Sequence, residues 1–417
     1  MRTLNKLHTP SHGVFGKYSR KSQFKVGEFI ISLFIFATLS HGLLSCGPAD
    51  SYKESSSDDQ TPKYEIKLQF SSDSIFRRPN MDGDNWHTTW AGDGHQYVLQ
   101  CDGQGYNTRL WRLTGPPSNF KFEVVEEHPG PKEKPKERYY GFGILGAGQS
   151  IYHYYSTPDK WYTDPPWKFI GAKMIYSSDM GKTWHNQNGT TPVIFEETKQ
   201  RNKENMVFFN EPGESFSLLT MLQMGKGYED NNDGYIYVYS PNGREEGTMN
   251  QLVMYRVPKD KVLQRSAYEY FVSVNTDGSA TWSGAIDDRR PVHVFPAGWV
   301  NKLKHPYSWH PSVVYNKGLG LYMMSNWGVG TDSTGEWFKK PSYLGIYTSS
   351  APWGPWKQIH EDTAWFPSGG DPEGQCYQPQ IMPGWIAPDG KSFWLAYTQY
   401  PKGYYFQVQR VDIVPAN

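Results

Sequence analysis

The chain reads as an all-β protein, a five-bladed β-propeller. Short runs rich in Tyr, Val, Ile, Phe and Trp recur between turn clusters, at His95–Leu99, Phe120–Val125, Lys173–Tyr176, Tyr235–Tyr239, Gln251–Tyr255, Leu319–Met324, Tyr343–Tyr347 and Ser392–Tyr397. That is the pattern of strands joined by tight turns. Long helical periodicity is missing, and only Lys259 to Ala267 suits a short helical turn. The third observation is a repeat. Ser177 to Trp184, SSDMGKTW, fits the Asp-box pattern S-x-D-x-G-x-T-W, in which Asp and Gly satisfy a hairpin turn and Trp plugs between strands. Asn275 to Trp282 is a degraded copy and Ser349 to Trp356 a relative; all three are structural.

Residues 1–45 read as a signal peptide. Arg2, Lys6, Lys17, Arg20, Lys21 and Lys25 precede an apolar run from Phe29 to Leu44, shorter than the roughly 20 residues of a membrane span. Leu43-Leu44-Ser45-Cys46 resembles a bacterial lipoprotein processing box, which implies a lipid on Cys46 and anchoring at the cell envelope, on the outer membrane. Residues 46–63 are rich in Ser and Asp and nearly free of large apolar side chains, so they read as a tether.

The body, residues 64–417, divides into units at about 80–127, 138–200, 204–284, 305–360 and 374–415. Each opens with a candidate innermost strand, and such strands line the channel where propellers hold ligands. The channel then receives Asp84, Trp86, Trp90, Tyr140, His310 and Gln378. The segment from Pro129 to Arg138, PGPKEKPKER, reads as a solvated connector. Formal net charge is zero, so no polyanion-binding surface shows in the total, and nucleic acid is not an expected partner. Cys101 and Cys376 are able to pair in an oxidising compartment, which sequence leaves open.

The densest chemistry lies in Met81 to Gly105, MDGDNWHTTWAGDGHQYVLQCDGQG. Asp84 and Asp102 end what reads as a β-hairpin turning at Asp93-Gly94, with Trp86 and Trp90 between them. Paired carboxyls beside indoles suit glycoside cleavage, one as acid and the other as base or nucleophile, with the rings stacking on sugar faces. Asp93-Gly94 and Asp102-Gly103 are equally ordinary turn residues, and tryptophans are ordinary core.

GDNWHTTWAGDGHQY, with GYIYVYS at 234–240, HPSVVYN at 310–316 and SSAPWGPW at 349–356, resembles the exported β-propellers catalogued as domain of unknown function 4185. The resemblance spans about residues 80–400. It implies a five-bladed propeller that cleaves glycans in the manner of endo-D-arabinanases, with Asp84 and Asp102 carrying the chemistry. The chain departs from that pattern at His87, where proline usually follows the first tryptophan.

The leading expectation is an endo-acting hydrolase of an extracellular polysaccharide. The alternative is a lyase acting by β-elimination on a uronate. A histidine among His87, His95, His153 and His310 would be the base, a tyrosine the acid, and Arg77, Arg78 or Arg109 the carboxylate partner. The third class is a noncatalytic glycan-binding lipoprotein. The candidates are Asp84, Asp102, His87 and His153 for catalysis, and Trp86, Trp90, Arg109, Tyr140, His310 and Gln378 for binding. No cofactor is expected. Glu229 to Gly234, EDNNDG, superficially resembles a calcium loop, but Ser240 stands where the closing carboxylate belongs; a structural calcium stays open. Phosphate-loop, HExxH and nucleophile-elbow signatures are missing.

Overall fold

A computed structural model describes residues 65–103, 108–130, 138–160, 168–243, 250–295, 310–328, 330, 341–367, 375–400 and 404–415. The signal and tether expected over residues 1–63 lie outside them. The described chain forms five antiparallel sheets, a five-bladed β-propeller.

The first blade comprises Thr88–Trp90, Gln96–Cys101, Thr108–Thr114 and Lys121–Val124. The second runs from Tyr140–Ala147 through Ser150–Pro158 and Phe169–Ser177 to Phe208–Phe209. The third runs from Thr220–Met221 through Tyr235–Pro241, Gln251–Pro258 and Glu269–Val274 to Ala280–Ser283. The fourth comprises Ser312–Asn316, Leu321–Gly328, Tyr343–Ser349 and Lys357–Asp362. The fifth begins with Gln375–Ile381, Ser392–Tyr400 and Tyr405–Pro415.

The fifth blade's outermost strand is Ile66–Asp82, from the other end of the described chain. The five expected units miss this strand, because its pairing partner is more than 300 residues away in sequence. It closes the ring, with Ile66 opposite Pro415 and Phe76 opposite Val408. Each blade remains an open sheet with an edge at its outermost strand, as radial repetition allows.

Each blade is apolar on both faces, because each packs against two neighbours. Leu99, Leu110, Ile151, Tyr155 and Ile175 join the first and second blades. Leu145, Met174, Tyr255, Val313 and Met324 continue through the second, third and fourth. Met323, Leu344, Phe393 and Leu395 join the fourth to the fifth. Trp86, Val98, Phe120, Phe406 and Val408 complete the circle between the fifth and the first. The strands therefore read as near-continuous hydrophobic runs rather than as alternating ones.

Trp86 is the keystone of that last seam. It has no exposed surface, packs edge-on against Phe406 and donates its indole N–H to Thr398 Oγ1 at 2.7 Å. At Ser177–Trp184 the turn is internally bonded. Asp179 accepts from Ser177 Oγ, Thr183 N and Thr183 Oγ1, and Trp184 is buried with its N–H on Gly181 O. The short helical turn expected near 259–267 is present as two single turns, Lys259–Lys261 and Arg265–Ala267.

Innermost strands of three blades carry one extra residue at matching positions. In the first, Asp84 faces Cys101 and Thr88 faces Val98. In the second, Gly141 faces Tyr155 and Ile144 faces His153. In the fifth, Tyr377 faces Thr398 and Gln380 faces Ala396. Each bulge holds a left-handed residue: Asn85 (φ 52°), Gly143 (φ 74°) and Gln378 (φ 57°). His310, just before the fourth blade's innermost strand, is left-handed too (φ 39°). Such backbone costs about 1–3 kcal/mol at each non-glycine position and gathers where side chains are re-aimed for function.

Replacing Trp86 with Ala is expected to cost about 3–5 kcal/mol of stability, read as a lower urea midpoint. A midpoint unchanged from wild type would contradict the keystone role.

Candidate active site

The site starts from one hairpin. Asp84 and Cys101 exchange both main-chain hydrogen bonds, Asp84 N to Cys101 O at 2.9 Å and Cys101 N to Asp84 O at 2.8 Å. Only glycine fits at position 83, where a Cβ would lie 2.7 Å from Gln100 Nε2 and 2.9 Å from Cys101 O. Asp102 follows in a left-handed turn, φ 52°. The two aspartates therefore meet at one end of the channel. A carboxylate oxygen of each and Cys101 Sγ lie within 4.8 Å of one another.

The two carboxyls have different company. Asp84 is buried; its Oδ1 accepts from Asn85 Nδ2 at 2.5 Å and its Oδ2 from the Tyr404 hydroxyl at 2.6 Å. Asp102 is more open and forms an ion pair with Arg138. The Arg138 guanidinium also covers the Tyr140 ring, 4.3 Å from its centroid. Cys101 is fully buried. Burial, reinforced by the Asp84 charge, pushes its thiol well above the usual range against the opposing pull of Arg138. It stays a neutral thiol and supplies no nucleophile.

From Tyr140 an aromatic row leads inward to the axis. Tyr140 stacks on Phe142 at 5.7 Å, Phe142 meets His310 at 4.0 Å, and His310 meets His87 edge-on at 5.2 Å. His87 Nε2 is buried and has no hydrogen-bond partner among the described residues. Burial holds His87 down to about 3. Burial, with His87 beside it, holds His310 well below the ordinary imidazole range. Both rings are neutral at physiological pH. His87 further lines a small axial cavity with Thr88, Ile144, Thr220, Gln223, Ser312 and Gln380. Its polar lining is uncharged.

Several expected site residues lie elsewhere. Trp86 is core, so its indole faces are not offered to a sugar. Trp90 sits at the far end of the hairpin, its N–H on Gly94 O, and Asp93 caps that turn through His95 N and the Tyr97 hydroxyl. His153 is sealed between the first two blades, 3.1 Å from His128 and stacked on it. Arg109 lies over Trp111, one strand outward from the aspartates. Tyr140 is placed at the site, but Arg138 covers its face. Gln378 is fully buried in its bulge. Cys101 and Cys376 are both free thiols, so no disulfide joins them.

Two residues were not expected. Arg138 ends a charged segment that reads as connector, yet it is buried and pairs with Asp102. Tyr404 comes from the opposite end of the described chain and carries no local signal. At Asp230 to Gly234 the turn is satisfied internally. Asn231 Nδ2 donates to Asp233 Oδ1 and Gly234 N to Asn231 Oδ1, while Asp230 pairs with Lys317. Among the described residues, Asp84, Cys101 and Asp102 form the one grouping of three potential metal ligands.

No family model and no curated protein matches the chain. Among solved structures, it is similar to a putative hydrolase from Bacteroides ovatus, at 14% identity and a TM-score of 0.48, over 85% of this chain and 97% of that one. It is also similar to the catalytic domain of a Coprinopsis cinerea GH62 α-L-arabinofuranosidase, at 9% identity and a TM-score of 0.41, over 84% and 97%. A Bacillus subtilis arabinanase follows at 11% and 0.40, over 80% and 94%. Scores this low carry no weight for chemistry. The architecture rests on the five sheets, and any activity on the side chains.

Burial makes the histidines acid-sensitive. His128 is held down to about 3 and His153 well below its usual range, burial being the first cause for each. Unfolding returns His87, His128, His153 and His310 to about 6.5, where they bind protons that the folded state refuses. Their contribution is present above pH 6.5 and is lost as pH falls towards 3. Stability should therefore fall between pH 7 and pH 5, by up to about 1.4 kcal/mol per pH unit for each histidine, read as a lower urea midpoint. A flat midpoint over that interval would show that these rings are accessible to solvent.

Proposed function

We propose that this propeller cleaves glycosidic bonds of an extracellular polysaccharide as an endo-acting glycoside hydrolase. The carrying observation is the Asp84–Asp102 pair, with carboxylate oxygens within 4.8 Å of each other at the axial end of the first blade. Retaining glycosidases hold their carboxyls roughly 5–5.5 Å apart, and inverting ones roughly 6.5–9.5 Å. The close spacing supports retention.

Asp102, paired with the Arg138 guanidinium, is the group suited to act as nucleophile, and the buried Asp84 the one suited to act as acid and then base. Asp84 gives its proton to the glycosidic oxygen as the bond to the anomeric carbon breaks. A carboxylate oxygen of Asp102 forms a bond to that carbon. Water then attacks the glycosyl ester, its proton passes to Asp84, and Asp102 leaves as carboxylate. The resemblance of the opening motif to exported arabinan-cleaving propellers supports the same assignment.

A second reading is β-elimination on a uronate with His87 as base. It is favoured by one observation, the neutral imidazole whose Nε2 lacks a partner among the described residues. The products distinguish the two, because elimination leaves an unsaturated, ultraviolet-absorbing ring.

On a glycan that the wild type cleaves, Asp84→Asn and Asp102→Asn should each lower turnover by about 10²–10⁴-fold while far-ultraviolet circular dichroism stays unchanged. Saturated products of retained anomeric configuration are expected by NMR. Near-wild-type turnover in both variants would end the hydrolase reading. The reading includes a lipid anchor at Cys46. Cys46→Ala should move the protein out of the membrane fraction, and retention there would remove the anchor.

A further inference from the structure

We propose that Arg201 is a positioning residue of this site: its guanidinium clamps the main chain at Arg138, so that the Arg138 side chain stands against Asp102 and over Tyr140. The proposal rests on the glycan-cleaving reading above.

Arg138 needs a hold of this kind. The ladder between the two innermost strands of the second blade begins at Tyr140, opposite Ser156. Arg138 lies two residues before it, where sheet register does not set the backbone. Its side chain nevertheless makes two exacting contacts, the ion pair with Asp102 and the cover of the Tyr140 ring. A long side chain meets two such partners at once only from a fixed Cα.

Arg201, a buried residue of the same blade, provides the fixed point. Its Nη2 donates to Arg138 O at 3.4 Å, its Nη1 to Pro158 O at 2.9 Å and its Nε to Glu196 O at 3.3 Å. The same guanidinium lies over the Tyr139 ring, 4.5 Å from its centroid. The carbonyl of residue 138 and the side chain of residue 139 are thus held by one planar group. Tyr139 is fastened at its other end too, its hydroxyl donating to Glu196 O at 2.8 Å. Three stretches of main chain meet at this clamp: the entry to the innermost strand, the end of the next strand, and the connection that follows Phe169–Ser177. The task suits arginine, whose fork of five N–H donors reaches several carbonyls while its face stacks on an aromatic ring. Lysine carries the same charge without the fork.

The test is Arg201→Lys. On a cleaved glycan, kcat should fall about 10- to 100-fold with KM near wild type. The readout independent of activity is nitrogen-15 NMR of the Arg138 guanidinium, assigned by its loss in Arg138→Lys. In wild type its Nη groups should give separate, slowly exchanging signals, and in Arg201→Lys these should merge. Arg201→Gln, which donates but lacks both fork and charge, should merge them as well and serves if the lysine variant does not fold. Val207→Ala is the comparison, a truncation in the buried core of the second blade that removes no bond to Arg138. It should lower the urea midpoint and leave the Arg138 signals separate. Separate signals in the Arg201 variants, or equal merging in Val207→Ala, would overturn the proposal. If no glycan is cleaved even by wild type, the functional reading fails, while the Arg138 signals still decide the role of Arg201.

Discussion

The site hangs on one exchange of main-chain hydrogen bonds, between Asp84 and Cys101. Without it Asp84 would have no fixed height on the channel axis. With it, the residue after Cys101 comes to lie beside the residue facing Cys101, and two carboxyl groups are forced together. Carboxylates do not gather in a poorly hydrated seam unless other contacts make them. Here the ladder makes them, and Arg138, Asn85 and Tyr404 answer the resulting strain in charge.

The second constraint is geometric. Five innermost strands converge on a narrow axis, and three of them take in one surplus residue at the same relative place. The surplus turns side chains that regular pairing would send between blades. It accounts for the turn of His87 and Phe142 toward the axis, where the left-handed His310 of the fourth blade meets both. It also explains why the axis is lined by neutral polar groups, while the charged groups stand towards the rim beside the first hairpin.

Much of the architecture was legible in the sequence. Strand-forming runs between turn residues mark where most blades begin and end, because local turn chemistry and β-propensity act over a few residues. The nearness of Asp84 and Asp102 was legible for the same reason, since a hairpin is a local object. Pairings set by ring closure were not. Ile66–Asp82 joins the last blade without any nearby partner, and Tyr404 reaches Asp84 across the whole fold. Trp86 shows another limit: an indole serves a sugar platform or an inter-blade seam equally well, and only its neighbours decide. Arg138 was hidden by the lysines and prolines around it. The bulges at Asn85 and Gln378 have no compositional mark, although Gly143 is the residue type such backbone prefers.

Closure by the Ile66–Asp82 strand has a consequence for how the chain is made. Synthesis runs from the amino end, so this strand emerges before the rest of the five blades and must wait for Tyr405–Pro415, more than 300 residues later. Until then the ring has an open gap, the fifth blade lacks its outer edge, and Trp86 lacks Phe406 and Thr398. Asp84 lacks Tyr404 for the same interval. The nascent polypeptide is thus chemically incomplete as well as unclosed until Tyr404 and the strand after it have been made, and maturation of the cleft coincides with ring closure.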